Sequence, residues 1–316
     1  MKILVTGANG FVGRHLVDYL KEGHTIYASG RALTPPDNLD TLYLNMDITD
    51  PSSIKKALKY STPDVVFHLA AQSTVRLAWE DPVSTVDVNI TGTINLLKAL
   101  RDMMPRTRLI TIGSSEEYGL TGKLGEPLTE KHPCLPQNPY AISKFAMGQM
   151  VLQLSQKYEM EVIHVRPFNH FGPGQQMGYV VSDFASQIAE IEQKIKPPVL
   201  RVGNLNAKRD FTDVTDVVRA YALLMEKSPA AGIYNVCSGI ARSAQDILEI
   251  LINQAKVSIE VVQDASKLRP SEVPLFIGSN AKIYQATTWR PKLEFENSII
   301  KTLNWWRDKV KINAGR

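Results

Sequence analysis

Short apolar, β-branched runs alternate with amphipathic stretches through the first half of the chain. Residues 3–5, 25–28, 42–44, 65–69, 109–112 and 161–165 read as strands, and 12–21, 53–59, 82–101 and 140–158 carry the helical period between them. This alternation predicts an α/β fold with a doubly wound parallel sheet. After Arg166 the rhythm changes. Gly, Pro and Gln cluster over 171–178 as a loop, followed by a helix at 184–194, a strand at 199–202, a helix at 214–227 and a strand at 232–235. A helix after Ser243, a strand at 257–262, a Pro-rich stretch and a last helix around 297–309 complete the chain. The expected division is a Rossmann lobe of 1–168, rejoined by 211–241, and a smaller C-terminal substrate-binding lobe of 169–210 and 242–316.

Composition narrows the partners. The 316 residues are 44% hydrophobic and 22% charged, enough for an ordinary core. The net charge of +4 is mild and forms no basic stripe, so no nucleic-acid partner is expected, although a diphosphate ligand would suit it. Cys134 and Cys237 form no CxxC pair, which predicts a reduced, cytoplasmic protein. The histidines form no HxxxH pair, so no metal is expected. No apolar run has bilayer length and the first residues lack a signal-peptide pattern, so no membrane association is expected.

The chemistry-bearing residues lie where strands end. Gly7, Gly10 and Gly13 follow the first strand and open a helix, at the spacing of a turn that cradles a dinucleotide pyrophosphate on a helix N-terminus. The second strand ends in Ser29-Gly30-Arg31. An acid there would enforce NAD, whereas the planar fork of Arg31 suits a 2′-phosphate, so NADPH is expected, with NADH as the alternative. Asp47, followed by Ile48, either accepts from the adenine amine or caps the next helix. Tyr140 and Lys144 lie four residues apart on one helix face. The ammonium and a cationic nicotinamide are expected to lower the Tyr140 pKa toward neutrality, and Ser114 to hold the reacting oxygen.

These features resemble the extended short-chain dehydrogenase/reductase family along the whole chain: Gly7–Gly13, Asp47-Ile48, His68-Leu69-Ala70-Ala71, Asn89, Ser114, Tyr140 with Lys144, and Arg166-Pro167-Phe168-Asn169. The resemblance implies cofactor contacts from Gly7, Gly10, Phe11, Val12, Gly13, Arg31, Asp47, Ile48, Leu69, Ala70, Ala71, Asn89, Tyr140, Lys144 and Pro167. It also implies a homodimer through a four-helix interface, built from 82–101 and 140–158 of each subunit.

Phe168-Asn169-His170, the 203–211 segment and Arg269-Pro270-Ser271-Glu272-Val273 are similar to the GDP-mannose 4,6-dehydratase branch. That similarity implies a GDP-linked 4-keto-6-deoxy sugar, met by Glu116, Asn169, Val180, Asp183, Asn204, Arg209, Arg269 and Glu272. Arg209 and Arg269 would bracket phosphates and Glu272 would accept from ribose hydroxyls. Asp183 would read the guanine edge, or else sit in the first turn of a helix beginning near Phe184. Within the branch, Gly172-Pro173-Gly174-Gln175 resembles the loop of the 4-ketoreductases. Tyr179-Val-Val-Ser-Asp183 departs from the dehydratase pattern. The resemblance therefore implies NAD(P)H-dependent reduction at sugar C4, with Ser114, Tyr140 and Lys144 catalytic. Glu116 stands where the dehydratase keeps its catalytic glutamate, so a GDP-mannose 4,6-dehydratase with internally recycled NADP is the enzymatic alternative. A catalytically silent nucleotide sensor is the other; the Ser114, Tyr140 and Lys144 set argues against it.

Overall fold

Successive residues of the central strands point to opposite faces of one sheet, and both faces are apolar. Ile3, Val5, Val65, Phe67, Ile110, Ile163 and Val165 lie on one face, and Leu4, Val66, Leu109 and Val162 on the other. Such strands need helices on each side. The computed structural model, which describes residues 1–35, 41–227, 229–267 and 273–314, has that arrangement. Seven strands pair in parallel in the order Gly232–Val236, Val162–Pro167, Arg108–Ile112, Val65–His68, Lys2–Thr6, Thr25–Gly30 and Leu42–Asn45. Phe11–Leu20 and Val214–Glu226 cover the first face, and Pro51–Ser61, Gly92–Met103 and Pro139–Lys157 the second. The doubly wound parallel sheet expected from the sequence is present.

Local chemistry places the helix starts. Asp50 accepts from the Ser52 N–H and Asn138 from the Ala141 N–H, each followed by a proline at the first helical position. Asp47 does not cap the same helix. Its carboxylate instead accepts from the Thr49 N–H and hydroxyl at 2.9 and 2.7 Å, closing a turn ahead of Asp50. The helix expected over 82–101 divides into Pro82–Val86, a wide π turn at Asp87–Thr91, and Gly92–Met103. That extra residue in the turn carries Asn89, which is buried.

The smaller lobe is built around Lys208–Asp213. This strand pairs in parallel with Asn169–Phe171 and Leu275–Phe276 and antiparallel with Ala241–Ser243. Helices Val180–Glu192, Ala244–Asn253 and Phe295–Ala314 enclose a second core that includes Phe184, Ile188, Leu251, Leu303 and Trp306. Two details differ from the expected division. Residues 211–213 pair with 169–171 in this small sheet rather than joining the larger one. Ile283 and Trp289, in the segment expected to belong to the smaller lobe, lie in the larger lobe's core with Leu16, Val217 and Tyr221. The Trp289 indole N–H donates to the Asp216 carbonyl at 3.0 Å, and the Asp216 carboxylate accepts from the N–H groups of Lys292 and Leu293. This polar clasp holds the returning chain on the Val214–Glu226 helix. Among the described residues no helix is long and apolar enough to cross a membrane.

Trp289 is fully buried. Trp289→Ala should therefore lower stability by about 3–5 kcal/mol, the range for a core aromatic. Urea unfolding measures it, and a loss under about 1 kcal/mol would show that the clasp does not depend on the ring.

Candidate active site

The glycine turn lies at the end of the Lys2–Thr6 strand, between strands that leave it in opposite directions across the sheet. Gly7 has φ +68°, and a Cβ there would sit 2.7 Å from the Ala70 nitrogen and 2.8 Å from the Leu69 carbonyl carbon. A Cβ on Gly13 would run into the Gly7 carbonyl oxygen and come 2.7 Å from the Ala8 Cα. Only hydrogen fits at either position. The helix Phe11–Leu20 starts at Gly10 with no side-chain cap, which leaves its first N–H groups for an anion. These residues fit a dinucleotide pyrophosphate. Toward the adenosine end, Tyr43 donates to the Ala32 carbonyl at 3.1 Å, and Asn45 Nδ2 bonds the Arg31 and Ala32 carbonyls at 2.9 and 3.0 Å. The backbone beside Arg31 is thus fixed while its side chain is exposed. Ile48 is buried against Gly92, where a Cβ would come 2.8 Å from its Cγ2.

A line of hydrogen bonds runs from beside this turn to Tyr140. Asn89 accepts from the Gln72 N–H at 2.8 Å and donates to the Gln72 carbonyl and the Ser143 hydroxyl, both at 2.9 Å. Ser143 in turn donates to the Tyr140 carbonyl at 2.7 Å. Asn89 therefore positions the Pro139–Lys157 helix, and its amide is committed within the protein.

Ser114 ends the loop after the Arg108–Ile112 strand, and its hydroxyl accepts from the Glu116 N–H at 3.1 Å. The same hydroxyl faces the Tyr140 phenol and favours its ionised form. Lys144 is buried and donates to the Ile112 carbonyl at 2.7 Å. The electrostatics differ from expectation. Burial pushes the Tyr140 phenol well above its ordinary range, opposed by the Ser114 bond and reinforced by the Glu116 carboxylate. The phenol is not lowered, because burial outweighs the Ser114 contribution, and Lys144, which donates to the Ile112 carbonyl, is not among the groups that shift it. Burial pushes Lys144 itself down to about 8, with Glu117 opposing. Tyr140 is consequently a protonated donor beside Ser114, suited to delivering a proton to an oxygen. A cavity of about 910 Å³ beside Phe211, Arg242 and Tyr284 is lined by none of these three residues, so cavity size does not locate this site.

A family model described as GDP-mannose 4,6 dehydratase matches residues 4–302. The chain belongs to that family of extended short-chain dehydrogenases/reductases. It is 36% identical to a GDP-6-deoxy-D-mannose reductase of Pseudomonas aeruginosa over 310 residues, covering 98% of each. It is 30% identical to a GDP-6-deoxy-D-talose 4-dehydrogenase of Aggregatibacter actinomycetemcomitans, over 95% of this chain and 99% of that one. A solved structure of RMD from Pseudomonas aeruginosa complexed with NADPH superposes with a TM-score of 0.86 at 35% identity, covering 98% of this chain and 100% of that one. The chain is thus an oxidoreductase of the nucleotide-sugar type.

Of the residues expected on the substrate side, Glu116 is exposed, receives Asn138 Nδ2 at 3.3 Å, and acts electrostatically on both Tyr140 and Arg209. Arg209 is half-buried; burial lowers its guanidinium from the ordinary range while Glu116 opposes. Asn169 is exposed at the start of its strand, and Val180 is half-buried at the first position of the Val180–Glu192 helix. Asn204 is exposed and accepts from the Asn206 N–H at 2.9 Å. Arg269 and Glu272 lie outside the described residues. Leu69, Ala70 and Ala71 are half-buried, and Pro167 is buried at the end of its strand.

Two arrangements escaped the sequence reading, which expected Phe11 only as a cofactor contact. The first is Phe11, whose ring stacks on His170 with centroids 6.1 Å apart and meets His15 edge-on at 5.4 Å. His15 Nε2 donates to the Pro173 carbonyl at 2.8 Å. The phosphate helix is thereby fastened to the 171–178 loop. Only the Gly-Pro-Gly-Gln run signalled this, and it named no partner. The second is the Glu117, His164 and Arg166 cluster taken up below.

Asp183 lies in the first turn of Val180–Glu192, which begins earlier than expected, and its carboxylate accepts from the Gly178 N–H at 2.6 Å. That geometry supports the helix-terminus role. Asp183→Asn should lower stability by about 0.3–1 kcal/mol and leave GDP affinity unchanged in calorimetric titration. A loss of about 1.5–3 kcal/mol in GDP binding with an unchanged melting curve would instead make Asp183 a base-reading residue.

Proposed function

We propose that the protein reduces the C4 ketone of GDP-4-dehydro-6-deoxy-D-mannose to the alcohol of GDP-D-rhamnose, with NADPH as cofactor. The observation that carries this reading is the Tyr140 phenol, kept protonated by burial and set against the Ser114 hydroxyl. Reduction of a ketone needs one proton at oxygen, and Tyr140 is the group placed to supply it. The activities for which the Pseudomonas and Aggregatibacter relatives are named support the substrate class. The NADPH bound in the Pseudomonas structure supports the choice of cofactor.

When bound, the nicotinamide supplies the hydride that adds to C4. The rest is done by the chain. Ser114 holds O4 and Tyr140 gives its phenolic proton to it, so the ketone gains one hydride and one proton. The Ser114 hydroxyl then stabilises the phenolate until solvent returns the proton. Gly7, Gly10 and Gly13 would hold the pyrophosphate, Arg31 the 2′-phosphate and Lys144 the nicotinamide ribose. Arg209 and Arg269 would hold the GDP phosphates, and Glu272 its ribose. Asn169, Val180 and Asn204 would line the sugar-nucleotide side. Two copies would pair through the apolar side chains of Val83, Val86, Ile142 and Met150, all exposed on the two helical segments.

A second reading rests on Glu116. Its exposed carboxylate acts on both Tyr140 and Arg209, as a residue facing the sugar would. GDP-mannose 4,6-dehydration therefore remains the rival. Incubation with the GDP-4-keto-6-deoxy sugar should oxidise one NADPH per sugar reduced, read by absorbance and product NMR. Conversion of GDP-mannose to the keto sugar without added reductant would overturn the reductase assignment. Tyr140→Phe should lower kcat by at least about 10²-fold, the scale of general acid catalysis, with little change in NADPH binding. A near-normal kcat would remove Tyr140 from its role.

A further inference from the structure

Beneath Ser114 lies a carboxylate that the reaction as described does not use. Glu117 is fully buried. Its Oε1 accepts from the Ser114 N–H at 2.9 Å and from His164 Nε2 at 3.0 Å, and its Oε2 accepts from Arg166 Nε at 2.7 Å. Arg166 is buried as well, with its guanidinium 4.8 Å from the centre of the Tyr118 ring. His164 is closed off by Thr111, whose hydroxyl lies 3.0 Å from Nδ1.

The packing leaves this group no freedom. A Cβ on Gly113 would run into Glu117 Oε1, and one on Gly148 would come 2.5 Å from His164 Nε2. Gly148 lies one turn after Lys144 on the catalytic helix, so the cluster is wedged between the Ser114 loop and that helix.

We propose that Glu117 is a positioning residue for the reduction: its carboxylate holds Ser114 at the Tyr140 phenol, and its negative charge sustains the Lys144 ammonium. The catalytic part rests on the reductase reading; the effect on Lys144 does not.

The groups around Lys144 leave this role to Glu117. His68, on the adjoining Val65–His68 strand, is neutral, because burial and the Lys144 charge drive its imidazole to about 3. Tyr140, one turn earlier on the same helix, is held neutral by burial. From the Arg108–Ile112 strand comes only the uncharged Ile112 carbonyl. The charge of Glu117, from the Ser115–Tyr118 turn, opposes the burial that lowers Lys144. Burial works against the Glu117 anion too, but His164, Arg166 and the Ser114 N–H outweigh it and hold the carboxyl below the usual range.

Glu117→Gln alone would strand the Arg166 charge, so the test pairs it with Arg166→Met, which removes both charges at similar volume. NADPH affinity is followed by nucleotide fluorescence from about pH 6 to pH 10, a measurement that needs no sugar. Native binding should weaken as pH rises through the Lys144 titration near 8. In the double variant that fall should begin about one pH unit lower, a tenfold change in the neutral fraction of the lysine at a given pH, while affinity at about pH 6 is retained. Glu117→Asp keeps the charge and shortens the reach. It should preserve the native pH profile and lower kcat by about tenfold through misplacement of Ser114. A folded double variant whose profile superimposes on the native one would overturn the electrostatic role, and an unchanged kcat in Glu117→Asp would overturn the positioning role. If the double variant does not fold, Glu117→Asp decides alone: a displaced pH profile overturns the proposal. Failure of the sugar assignment would show separately, as native protein that binds NADPH and does not turn over.

Discussion

The contact between Gly7 and the backbone of Leu69 and Ala70 is the constraint from which the site is built. Two neighbouring strands end side by side, and the turn leaving one lies against the chain leaving the other, with no room for a side chain between them. That approach fixes where the phosphate helix starts. It also fixes the 69–72 segment, and through it the rest: Gln72 bonds Asn89, Asn89 bonds Ser143, and Ser143 bonds the carbonyl of Tyr140. A shift at the turn would pass through bonds of about 2.7–2.9 Å to Tyr140. The π turn at Asp87–Thr91 matters because it delivers Asn89 into the middle of this line.

Two buried polar layers lie under the active site on neighbouring strands, and they do different work. In one, Thr93 donates to the Asn89 carbonyl and so accepts from His68 Nε2, which leaves His68 Nδ1 to accept from Thr6. Every group is neutral, and the layer fixes geometry alone. In the other, Thr111, His164, Glu117 and Arg166 enclose an ion pair. An isolated charge at such depth would be strongly unfavourable, and the pair survives because both carboxylate oxygens accept hydrogen bonds, Oε1 from two donors and Oε2 from Arg166. A layer of this kind places a fixed charge close to the chemistry without admitting water.

The lobes are joined by polar groups as much as by apolar ones. Asp210, on the central strand of the smaller lobe, accepts from the N–H groups of Ser238, Gly239 and Gly278, and so ties that strand to the end of the larger sheet. On another part of the junction, Phe11 between His15 and His170 couples the pyrophosphate helix to the 171–178 loop. Cofactor and sugar nucleotide would therefore meet a junction whose two sides already share residues.

The large sheet was legible in the chain because its strands are buried on both faces and read as unbroken apolar runs, as in residues 3–5 and 65–67. The glycine spacing and the Tyr140 and Lys144 pair were legible for a similar reason, since each is local: a turn, or one helix face. The strand at 199–202 of the smaller lobe was legible too, but the strands around Lys208–Asp213 were not. Lys-Arg-Asp-Phe-Thr-Asp is a strand only because three others pair with it, and sequence carries little trace of pairing between distant segments. The burial of Trp289 against the larger sheet was hidden in the same way. So was the state of Tyr140. The sequence determined that a phenol and an ammonium share a helix face, but the tertiary structure decided that the ammonium goes to the Ile112 carbonyl and that burial keeps the phenol protonated. Proximity along a helix follows from its pitch, whereas protonation depends on solvent exclusion and on every charge within a few ångströms, and those are set only when the chain has folded.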